Sequence, residues 1–492
     1  MPRKAVRRCL GIIGGLGSIA GADMYFKLVK ARAANEAPEN LDLTIEQHAF
    51  DEGSQGSDGM SGGAQANQNG RKLYIFDMIR RFESRKVDSV ILPCFISHTF
   101  IDELRPDIRL PVVNMMEALK AHIGRRHPDK CRLGILTSDY VRSKRLFERT
   151  FDAAGYALLY PGADVQEACV MPAIYGPEGL KAGNLQGAAV DLLADACRDL
   201  LLQGAELIVP GATEIAIVAD ALQERGIPIL DVNRIYALHA LSCEGDAPSK
   251  PFKVGILGGV GPAATVDFMD KIIRNTDAVR DQDHIRLVVE HNPAIPDRTG
   301  NLVGDGPDPT VAMYAACKKL EAADADLIAI PCNTAHAFVE RIQPYLSIPI
   351  VNMLVETVKH ISLHYGHDKT VGLLATSGTI ASRVYHDEFA KAGFDLVVPD
   401  NEHQQGVMNA IYGEQGVKAG YRDGCCRDEL MQALAHLVAR GAEVVVLGCT
   451  ELPLLLSQDD RFPVAGRHVA LLDPTDILAR SCVGYARGGK KA

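Results

Sequence analysis

The sequence predicts an α/β protein built from two tandem copies of one domain, because segments of the first half recur in order in the second half. CLGIIGGLGSIAG at 9–21 matches KVGILGGVGPAAT at 253–265, and IYGPEGLKAG at 174–183 matches IYGEQGVKAG at 411–420. Within each copy, short apolar runs alternate with helical patterns, which is typical of α/β domains. The repeat is about 240 residues long, which indicates a duplicated domain rather than a solenoid, whose repeats span roughly 20–50 residues.

The two copies are joined by CEGDAPSKP at 243–251, a segment with the acidic, proline and serine residues that are typical of linkers. We therefore expect one domain over residues 1–245 and a second over residues 251–492. The most obvious difference in length is a Gly/Ser/Gln-rich stretch at 53–70 of the first copy.

Apolar runs in the second copy predict buried parallel strands at 253–258, 285–290, 327–331, 348–351, 370–375, 394–398, 443–448 and 469–472. Helical patterns lie between them, as at 311–322, 382–392 and 427–439. This alternation is typical of βαβ units in doubly wound parallel sheets. The number of strands predicts two small, flavodoxin-like lobes in each copy. Because ligands of such sheets bind beyond the carboxyl ends of the strands, we expect the site between the lobes.

Composition excludes several classes of function. With 47% hydrophobic and 23% charged residues, the chain is globular, and its net charge of −10 argues against a nucleic-acid-binding surface. No run approaches the 18 or so apolar residues of a membrane span. The basic start, MPRKAVRR, is interpreted as leading into a strand rather than as a signal peptide. The 12 cysteines include no CxxC pair and no dense framework, so we expect no metal, no disulfides and a reducing cytoplasm.

Two cysteines of the second copy occupy equivalent positions, each directly after a predicted strand. Cys332 lies in PCNTAH at 331–336, and Cys449 lies in GCTELPLLL at 448–456. Two facing lobes would place these thiols on opposite sides of one cleft. A racemase must remove the α-proton from one face of an amino acid and return a proton to the other face, which a thiolate and a thiol can do together. A helix beginning directly after each cysteine would lower its pKa from the ordinary value of about 8.5.

Polar side chains accompany both cysteines. Asn333 and Thr334 follow Cys332, Thr450 follows Cys449, and Thr376 ends a further strand-like run, TVGLLAT at 370–376. Such groups, with backbone N–H donors of the turns, can bind a substrate α-carboxylate and stabilise the negative charge that develops on it. These four residues are therefore predicted to bind substrate.

Six motifs of the second copy together resemble the aspartate/glutamate racemase family, in particular its aspartate racemase branch: GGVGPAAT at 258–265, HNPAIPDRT at 291–299, PCNTAH, NMLVE at 352–356, GEQGVKAG at 413–420 and GCTELPLLL. The resemblance covers essentially the whole second copy. It implies a racemase without cofactor or metal, with Cys332 and Cys449 as the acid/base pair. It also implies that Arg298 of PDRT and Lys418 of GVKAG bind the substrate's side-chain carboxylate. The glutamate after Thr450 favours the aspartate branch, since glutamate racemases carry histidine there.

The first copy departs from this pattern, and each departure affects a residue with a predicted chemical role. Cys94 matches Cys332, but Ala212 matches Cys449, and Phe95-Ile96 replaces Asn333-Thr334. The segment that aligns with PDRT is roughly EGSQG at 52–56, without an arginine, whereas the counterparts of three site-motif residues persist: Lys181, Thr213 and Glu214. One thiol can still serve one-sided chemistry such as decarboxylation, but a structural or regulatory role is expected. Because members of the family commonly dimerise, the two halves are expected to form an intramolecular pseudo-dimer, with homo-oligomers as a further possibility.

Three functions stay open at this stage. The first is racemisation of aspartate, glutamate or a broader set of amino acids by the second copy. The second is maleate isomerisation or hydantoin racemisation on the same scaffold. The third is a non-catalytic amino-acid sensor, which a matched pair of thiols disfavours. Dinucleotide binding by the glycine-rich turn at 258–262 is also disfavoured, because the full glycine fingerprint and its acidic residue are lacking. The expected partner is a small-molecule amino acid, with neither nucleic acid nor membrane.

Overall fold

The computed structural model describes residues 8–33, 41–48, 50, 62–243, 245 and 250–488. Contacts within the chain divide it into two compact units, Met1–Lys250 and Pro251–Ala492. Each unit contains two separate sheets flanked by helices, so the predicted α/β architecture in tandem copies is confirmed. Within the described ranges, no helix has both the length and the apolar character needed to cross a membrane.

The first unit has two parallel sheets of three strands, in the orders β2-β1-β3 and β5-β4-β6. Single bridges extend both sheets, from Val90 to Val112 and from Ile208 to Ile229. The strands are β1 (Arg8–Ile13), β2 (Leu41–Glu46), β3 (Ser89–Ile91), β4 (Arg132–Thr137), β5 (Ala157–Leu159) and β6 (Leu207–Gly211).

The helices of the first unit follow the strands in chain order. They are α1 (Ser18–Ala33), α2 (Gly62–Ser84), α3 (Phe95–His98), α4 (Ile101–Leu104), α5 (Met115–Arg126), α6 (Asp139–Ser143), α7 (Leu146–Phe151), α8 (Ala163–Val165), α9 (Met171–Tyr175), α10 (Ala188–Leu202), α11 (Thr213–Ile217), α12 (Ala219–Gln223) and α13 (Val232–Ser242).

The second unit repeats this plan with longer sheets, in the orders β10-β9-β7-β8 and β12-β11-β13-β15-β14. All pairings are parallel except that of β14 with β15. The strands are β7 (Lys253–Gly258), β8 (Arg286–His291), β9 (Leu327–Ala329), β10 (Ile350–Val351), β11 (Val371–Leu374), β12 (Leu396–Val397), β13 (Val444–Leu447), β14 (Asp459–Val464) and β15 (Arg467–Leu472).

Helices of the second unit connect these strands. They are α14 (Pro262–Asn275), α15 (Arg298–Val303), α16 (Thr310–Ala322), α17 (Val339–Ile342), α18 (Met353–His364), α19 (Ser377–Ala381), α20 (Val384–Lys391), α21 (Asn401–Tyr412), α22 (Cys425–Ala439) and α23 (Pro474–Ala486).

Eight of the nine strands in the second unit coincide with predicted runs, and β14 was missed. Its sequence, DDRFPV, is charged and mostly exposed, because it lies at the edge of its sheet and pairs antiparallel with β15. Apolar periodicity cannot find such a strand. By contrast, every residue of β13 is buried, as expected of a parallel strand inside a sheet covered on both faces.

Candidate active site

A cavity of about 280 Å³ opens in the second unit beyond the carboxyl ends of strands from both sheets. All eight residues that the sequence predicts for the site line it, together with four more. The lining residues are Val260, Arg298, Thr299, Cys332, Asn333, Thr334, Thr376, Tyr412, Lys418, Cys449, Thr450 and Glu451. The structure therefore brings the predicted site residues together, while the chemical role of each stays a prediction.

Internal strands fix the positions of the two thiols. Cys332 follows β9, which lies between β10 and β7, and Cys449 follows β13, which lies between β11 and β15. The backbone N–H of Cys332 donates to the carbonyl of Ile330 over 2.8 Å, which forms a tight turn at the end of the strand. Both cysteines are buried, at 7% exposure. Each thiol is thus held on the rigid centre of its own sheet.

The Cys449 thiol donates a hydrogen bond to Glu451 Oε2 over 3.0 Å. Thr450 Oγ1 donates to the same carboxylate oxygen over 3.2 Å. Burial raises the pKa of Cys449 well above its ordinary value, and the negative charge of Glu451 raises it further. The expectation that a following helix lowers this pKa is wrong, because only a short 3₁₀ turn, Leu452–Leu454, follows and the nearby carboxylate opposes ionisation. Cys449 is therefore a protonated thiol in this state.

Lys418 lies close to the same carboxylate. Desolvation works against its charge, but the negative charge of Glu451, with smaller contributions from Tyr412 and Cys449, raises the pKa of Lys418. Its Nζ lies 4.1 Å from the centroid of the Tyr412 ring, within the range of a cation–π contact. Lys418 is therefore a fixed ammonium group beside the Cys449 side of the cavity.

Arg298 lies on the Cys332 side of the cavity. Its Nη2 donates to the carbonyl of Val260 over 3.0 Å, and its Nη1 donates to the carbonyl of Pro296 over 3.2 Å. Burial works against the charge, but the proximity of the Cys332 sulfur and of Asp297 raises the pKa of Arg298. The two thiols therefore have opposite surroundings: a guanidinium lies beside Cys332, and a carboxylate accepts from Cys449.

Two buried donors of the lining have no hydrogen-bond partner among the described residues, namely Arg298 Nε and Asn333 Nδ2. A buried donor without a partner costs about 1–3 kcal/mol. A ligand that offers acceptor oxygens would remove this cost. The cavity is thus suited to a carboxylate.

A cluster of threonine hydroxyls forms one wall of the cavity. Thr334 Oγ1 lies 3.1 Å from Thr376 Oγ1 and 2.8 Å from Thr379 Oγ1, and Thr299 Oγ1 donates to Thr376 over 3.2 Å. Thr376 also caps α19 by accepting from the backbone N–H of Thr379 over 3.2 Å. These mutual contacts hold a polar wall in one arrangement.

A profile of the family described as Asp/Glu/Hydantoin racemase matches residues 13–240 and again residues 257–482. The chain belongs to this family. The predicted tandem duplication of a racemase domain is confirmed by the two matches.

Individual racemases match about half of this chain or less. The broad specificity amino-acid racemase RacX of Bacillus subtilis (strain 168) is 28% identical over 234 residues, which are 47% of this chain and 96% of RacX. A glutamate racemase of Shewanella sp. (strain MR-4) is 31% identical over 162 residues, 33% of this chain and 56% of that enzyme. Among solved structures, the Picrophilus torridus aspartate racemase has 29% sequence identity and a TM-score of 0.42, with 48% of this chain and 94% of that chain covered.

Sequence reasoning missed four lining residues of this cavity, Val260, Thr299, Tyr412 and Glu451, and a signal existed for the last two. Tyr412 lies in the IYG motif and Glu451 follows Thr450, and both recur in the first copy, as Tyr175 and Glu214. Gly261 allows the close approach of its loop to Glu451, since a Cβ at this residue, whose φ is +133°, would lie 2.7 Å from Glu451 Oε1. Residues kept in both copies therefore add to the residues that motif membership finds.

His336 supports Cys332 through the backbone. Its Nε2 accepts from the backbone N–H of Met353 over 3.1 Å, so its Nδ1 carries the proton and donates to the carbonyl of Cys332 over 3.0 Å. Burial lowers the pKa of His336, which keeps the imidazole neutral. His336 is thus a positioning residue rather than an acid or base.

The first unit contains a cavity of about 330 Å³ at the equivalent place. Its lining includes Leu16, Arg71, Pro93, Cys94, Phe95, Ile96, Ser138, Val141, Tyr175, Lys181, Gly211, Ala212, Thr213 and Glu214. The segment at 52–56 that aligns with PDRT lies outside the described residues. However, Arg71 Nη1 from α2 lies 3.6 Å from the Cys94 sulfur. The expectation that Cys94 has no neighbouring arginine is therefore wrong, because the arginine comes from a different part of the chain.

One group of side chains in the described part of the chain has the spacing of metal ligands: Asp400, His403 and His436. None of them lines the cavity. Asp400 caps α21, accepting from the backbone N–H of His403 over 3.0 Å and contacting His403 Nδ1 at 2.7 Å. Helix capping accounts for the contact between Asp400 and His403, and His436 of α22 stacks on the His403 ring.

Proposed function

We propose that the second unit is a cofactor-independent amino-acid racemase that acts on aspartate, glutamate or a wider set of amino acids. The observation that carries the proposal is that Cys332 and Cys449, on internal strands of two different sheets, line one cavity. Membership of the Asp/Glu/Hydantoin racemase family and the similarity to RacX support amino-acid racemisation as the reaction. Both cysteines must be reduced for this chemistry, which fits a reducing compartment.

In the proposed complex, the substrate is held at both of its carboxylates. Arg298 and Lys418 bind the side-chain carboxylate by charge-assisted hydrogen bonds, which are stronger than neutral ones. The α-carboxylate accepts hydrogen bonds on the polar wall, where the proposed donors are Asn333, Thr334, Thr376 and Thr450. Asn333 is fixed for this role because its Oδ1 accepts from Tyr385 Oη over 2.6 Å, which leaves the buried Nδ2 to donate.

Proton exchange then follows from the protonation of the two thiols. Cys332, as a thiolate stabilised by the guanidinium of Arg298, takes the α-proton, and the C–H electron pair moves into the α-carboxylate. Cys449, as a thiol, gives its proton to the α-carbon on the opposite face and becomes a thiolate. The cysteines end with exchanged protonation states, so the opposite enantiomer is deprotonated by Cys449. The raised pKa of Cys449 supports its role as the first proton donor.

A screen of single enantiomers tests this proposal. L- and D-forms of aspartate, glutamate and alanine are incubated with the full chain after dialysis against EDTA and treatment with hydroxylamine, and optical rotation is followed by circular dichroism. We expect rotation to decay for aspartate or glutamate. Treatment of the protein with iodoacetamide before the assay should prevent the decay, unless substrate is present during that treatment. Unchanged rotation for every amino acid, with intact thiols, would contradict the proposal.

The two cations of the cavity also favour a second candidate, isomerisation of a dicarboxylate such as maleate. Arg298 and Lys418 can neutralise two carboxylates, and the reaction would need only Cys332 or Cys449 as a nucleophile. Loss of maleate absorbance in the ultraviolet, with no racemisation of amino acids, would favour this candidate. Tight binding of an amino acid without any turnover would instead indicate a sensor.

The first unit is proposed to act as a built-in partner subunit for the second, in an intramolecular pseudo-dimer. A domain that evolved against a partner exposes an apolar patch when that partner is removed, and such patches drive association. We expect the second unit alone, from Pro251 onward, to aggregate or form a homodimer in analytical ultracentrifugation. A monodisperse, fully active monomer of residues 251–492 would contradict this role.

A further inference from the structure

The cavity of the first unit has a cationic side and an apolar side. In the described part of its lining, Arg71 and Lys181 contribute positive charges and Glu214 contributes a carboxylate. The described lining also contains the apolar side chains of Phe95, Ile96 and Val141, besides the hydroxyl groups of Ser138, Tyr175 and Thr213. A lining of this kind favours a ligand with one negative end and an apolar body.

The apolar side results from replacement of the hydroxyl groups found in the second unit. Ser138 directly follows β4 and caps α6, and Thr376 lies two residues after β11 and caps α19. The two residues are therefore equivalent. Three residues after Thr376 lies Thr379, and three residues after Ser138 lies Val141. In the same way, Ile96 takes the place of Thr334. Two of the hydroxyls that form the polar wall of the second cavity are therefore absent from the first.

The positive charge, in contrast, has been kept by a different route. In the second unit the guanidinium beside Cys332 belongs to Arg298, at the start of α15 after β8. In the first unit the guanidinium beside Cys94 belongs to Arg71, within α2 before β3. Arg71 is buried, at 2% exposure. Two unrelated chain positions thus supply a cation to equivalent thiols, so the first cavity has an arginine beside its cysteine although it lacks the second thiol.

The lysine of the first cavity also keeps its setting. Lys181 Nζ lies 4.9 Å from the ring centroid of Tyr175, and Lys418 Nζ lies 4.1 Å from that of Tyr412. The first cavity therefore retains the pair of an arginine and a lysine, but combines it with a wall in which Ile96 and Val141 replace two threonines of the second unit.

We propose that the first cavity is a binding site for a carboxylic acid with a single carboxylate and a small apolar body. The carboxylate lies against Arg71 and Lys181, and the apolar body packs against Phe95, Ile96 and Val141. A dicarboxylate binds less well, because its second carboxylate would lie against Ile96 and Val141, where the second unit has threonine hydroxyls. The site does not depend on racemisation by the second unit, and Ala212 leaves it without the second thiol that racemisation there would need.

Isothermal titration calorimetry of the full-length chain tests the proposal with three probes of similar size: 4-methylpentanoate, its neutral amide 4-methylpentanamide, and glutarate. We expect saturable binding of 4-methylpentanoate, with the amide weaker by about 10-fold or more because it loses the charge-assisted hydrogen bonds. Equal affinity for the acid and the amide, or no saturable binding of the acid, would overturn the proposal.

Matched variants locate the binding. Lys181→Met and Arg71→Gln should each weaken 4-methylpentanoate by about 10-fold, whereas the equivalent changes Lys418→Met and Arg298→Gln in the second unit should leave its affinity unchanged. Lys181 is only partly buried, so Lys181→Met keeps the test valid if Arg71→Gln fails to fold. Loss of binding in the second-unit variants, with binding intact in Lys181→Met, would place the probe in the second cavity and overturn the proposal.

The double variant Ile96→Thr/Val141→Thr tests the selectivity. It restores hydroxyls where Thr334 and Thr379 lie in the second unit, and it should shift preference from 4-methylpentanoate toward glutarate. An unchanged ratio of the two affinities in the folded variant would show that the apolar wall does not select the ligand.

Discussion

The cavities of the two units share one framework but differ in the groups that would move protons. In the first unit, His98 Nε2 accepts from the backbone N–H of Met115 over 3.1 Å and its Nδ1 contacts the carbonyl of Cys94 at 3.0 Å. His336 makes the same two contacts, at the same distances, in the second unit. The support behind the first thiol has therefore been preserved in both copies.

The second thiol and the polar wall, in contrast, are confined to the second unit. Ala212 follows β6 at the place where Cys449 follows β13. Glu214 accepts from Thr213 over 3.2 Å, but alanine at position 212 offers no thiol to donate to it. This comparison shows that the fold does not require the second thiol or all the hydroxyl groups of the polar wall. The scaffold of strands, histidine and cation is present in the first unit, although alanine stands there in place of the second cysteine.

The largest effect expected from this comparison is on the thiols. Cys332→Ser and Cys449→Ser should each lower kcat for racemisation by about 10²- to 10⁴-fold, because serine is too weak an acid to replace either partner. Cys94→Ser, at the equivalent position of the first unit, should leave kcat unchanged. Rates are measured by circular dichroism on folded variants. Wild-type racemisation by Cys449→Ser would show that a single base suffices.

The next effect concerns substrate recognition. Arg298→Gln and Lys418→Met should raise KM for aspartate or glutamate and lower kcat/KM by about 10-fold or more, since each charge-assisted hydrogen bond contributes roughly 1.5–3 kcal/mol. Turnover of a neutral amino acid such as alanine should change much less. Lys181→Met is the matched control in the first unit. Equal losses for acidic and neutral substrates would show that these residues hold some other group.

A smaller effect is expected on the pH dependence. Burial and the charge of Glu451 raise the pKa of Cys449, so the direction that uses Cys449 as the base should speed up as the pH rises through this pKa. Glu451→Gln removes the charge, lowers this pKa, and should move the rise in kcat/KM to lower pH. Glu214→Gln, in the first unit, is the control and should leave the pH dependence of kcat/KM unchanged. A shift to higher pH in Glu451→Gln would contradict the assigned interaction.

Much of the candidate site could be predicted from the sequence, because its residues follow strands in motifs that recur along the chain. The runs before Cys332 and Cys449 are apolar and end in turns, so the order of elements was enough to bring both thiols to one cavity. Thr376 was found for the same reason. Positions that depend on strand ends in parallel sheets are thus accessible to pattern reasoning.

Three features could not be predicted in this way, each for a physical reason. Arg71 reaches the first cavity from the middle of a helix whose neighbouring sequence is polar and uninformative. The edge strand β14 carries charged side chains because its outer side faces solvent. The raised pKa of Cys449 depends on its burial and on the 3.0 Å approach of Glu451, neither of which is visible in spacing along the chain.

The central claim is that two thiols act on opposite faces of the α-carbon, and early turnover in D₂O tests it most directly. A single enantiomer of aspartate is incubated with the full chain, and both enantiomers are separated and analysed by mass spectrometry before equilibrium. If Cys332 and Cys449 act as a pair, the inverted product carries deuterium at the α-carbon while the remaining substrate keeps its proton. Deuterium appearing in the remaining substrate as fast as in the product would mean that one base serves both faces, and would contradict the account.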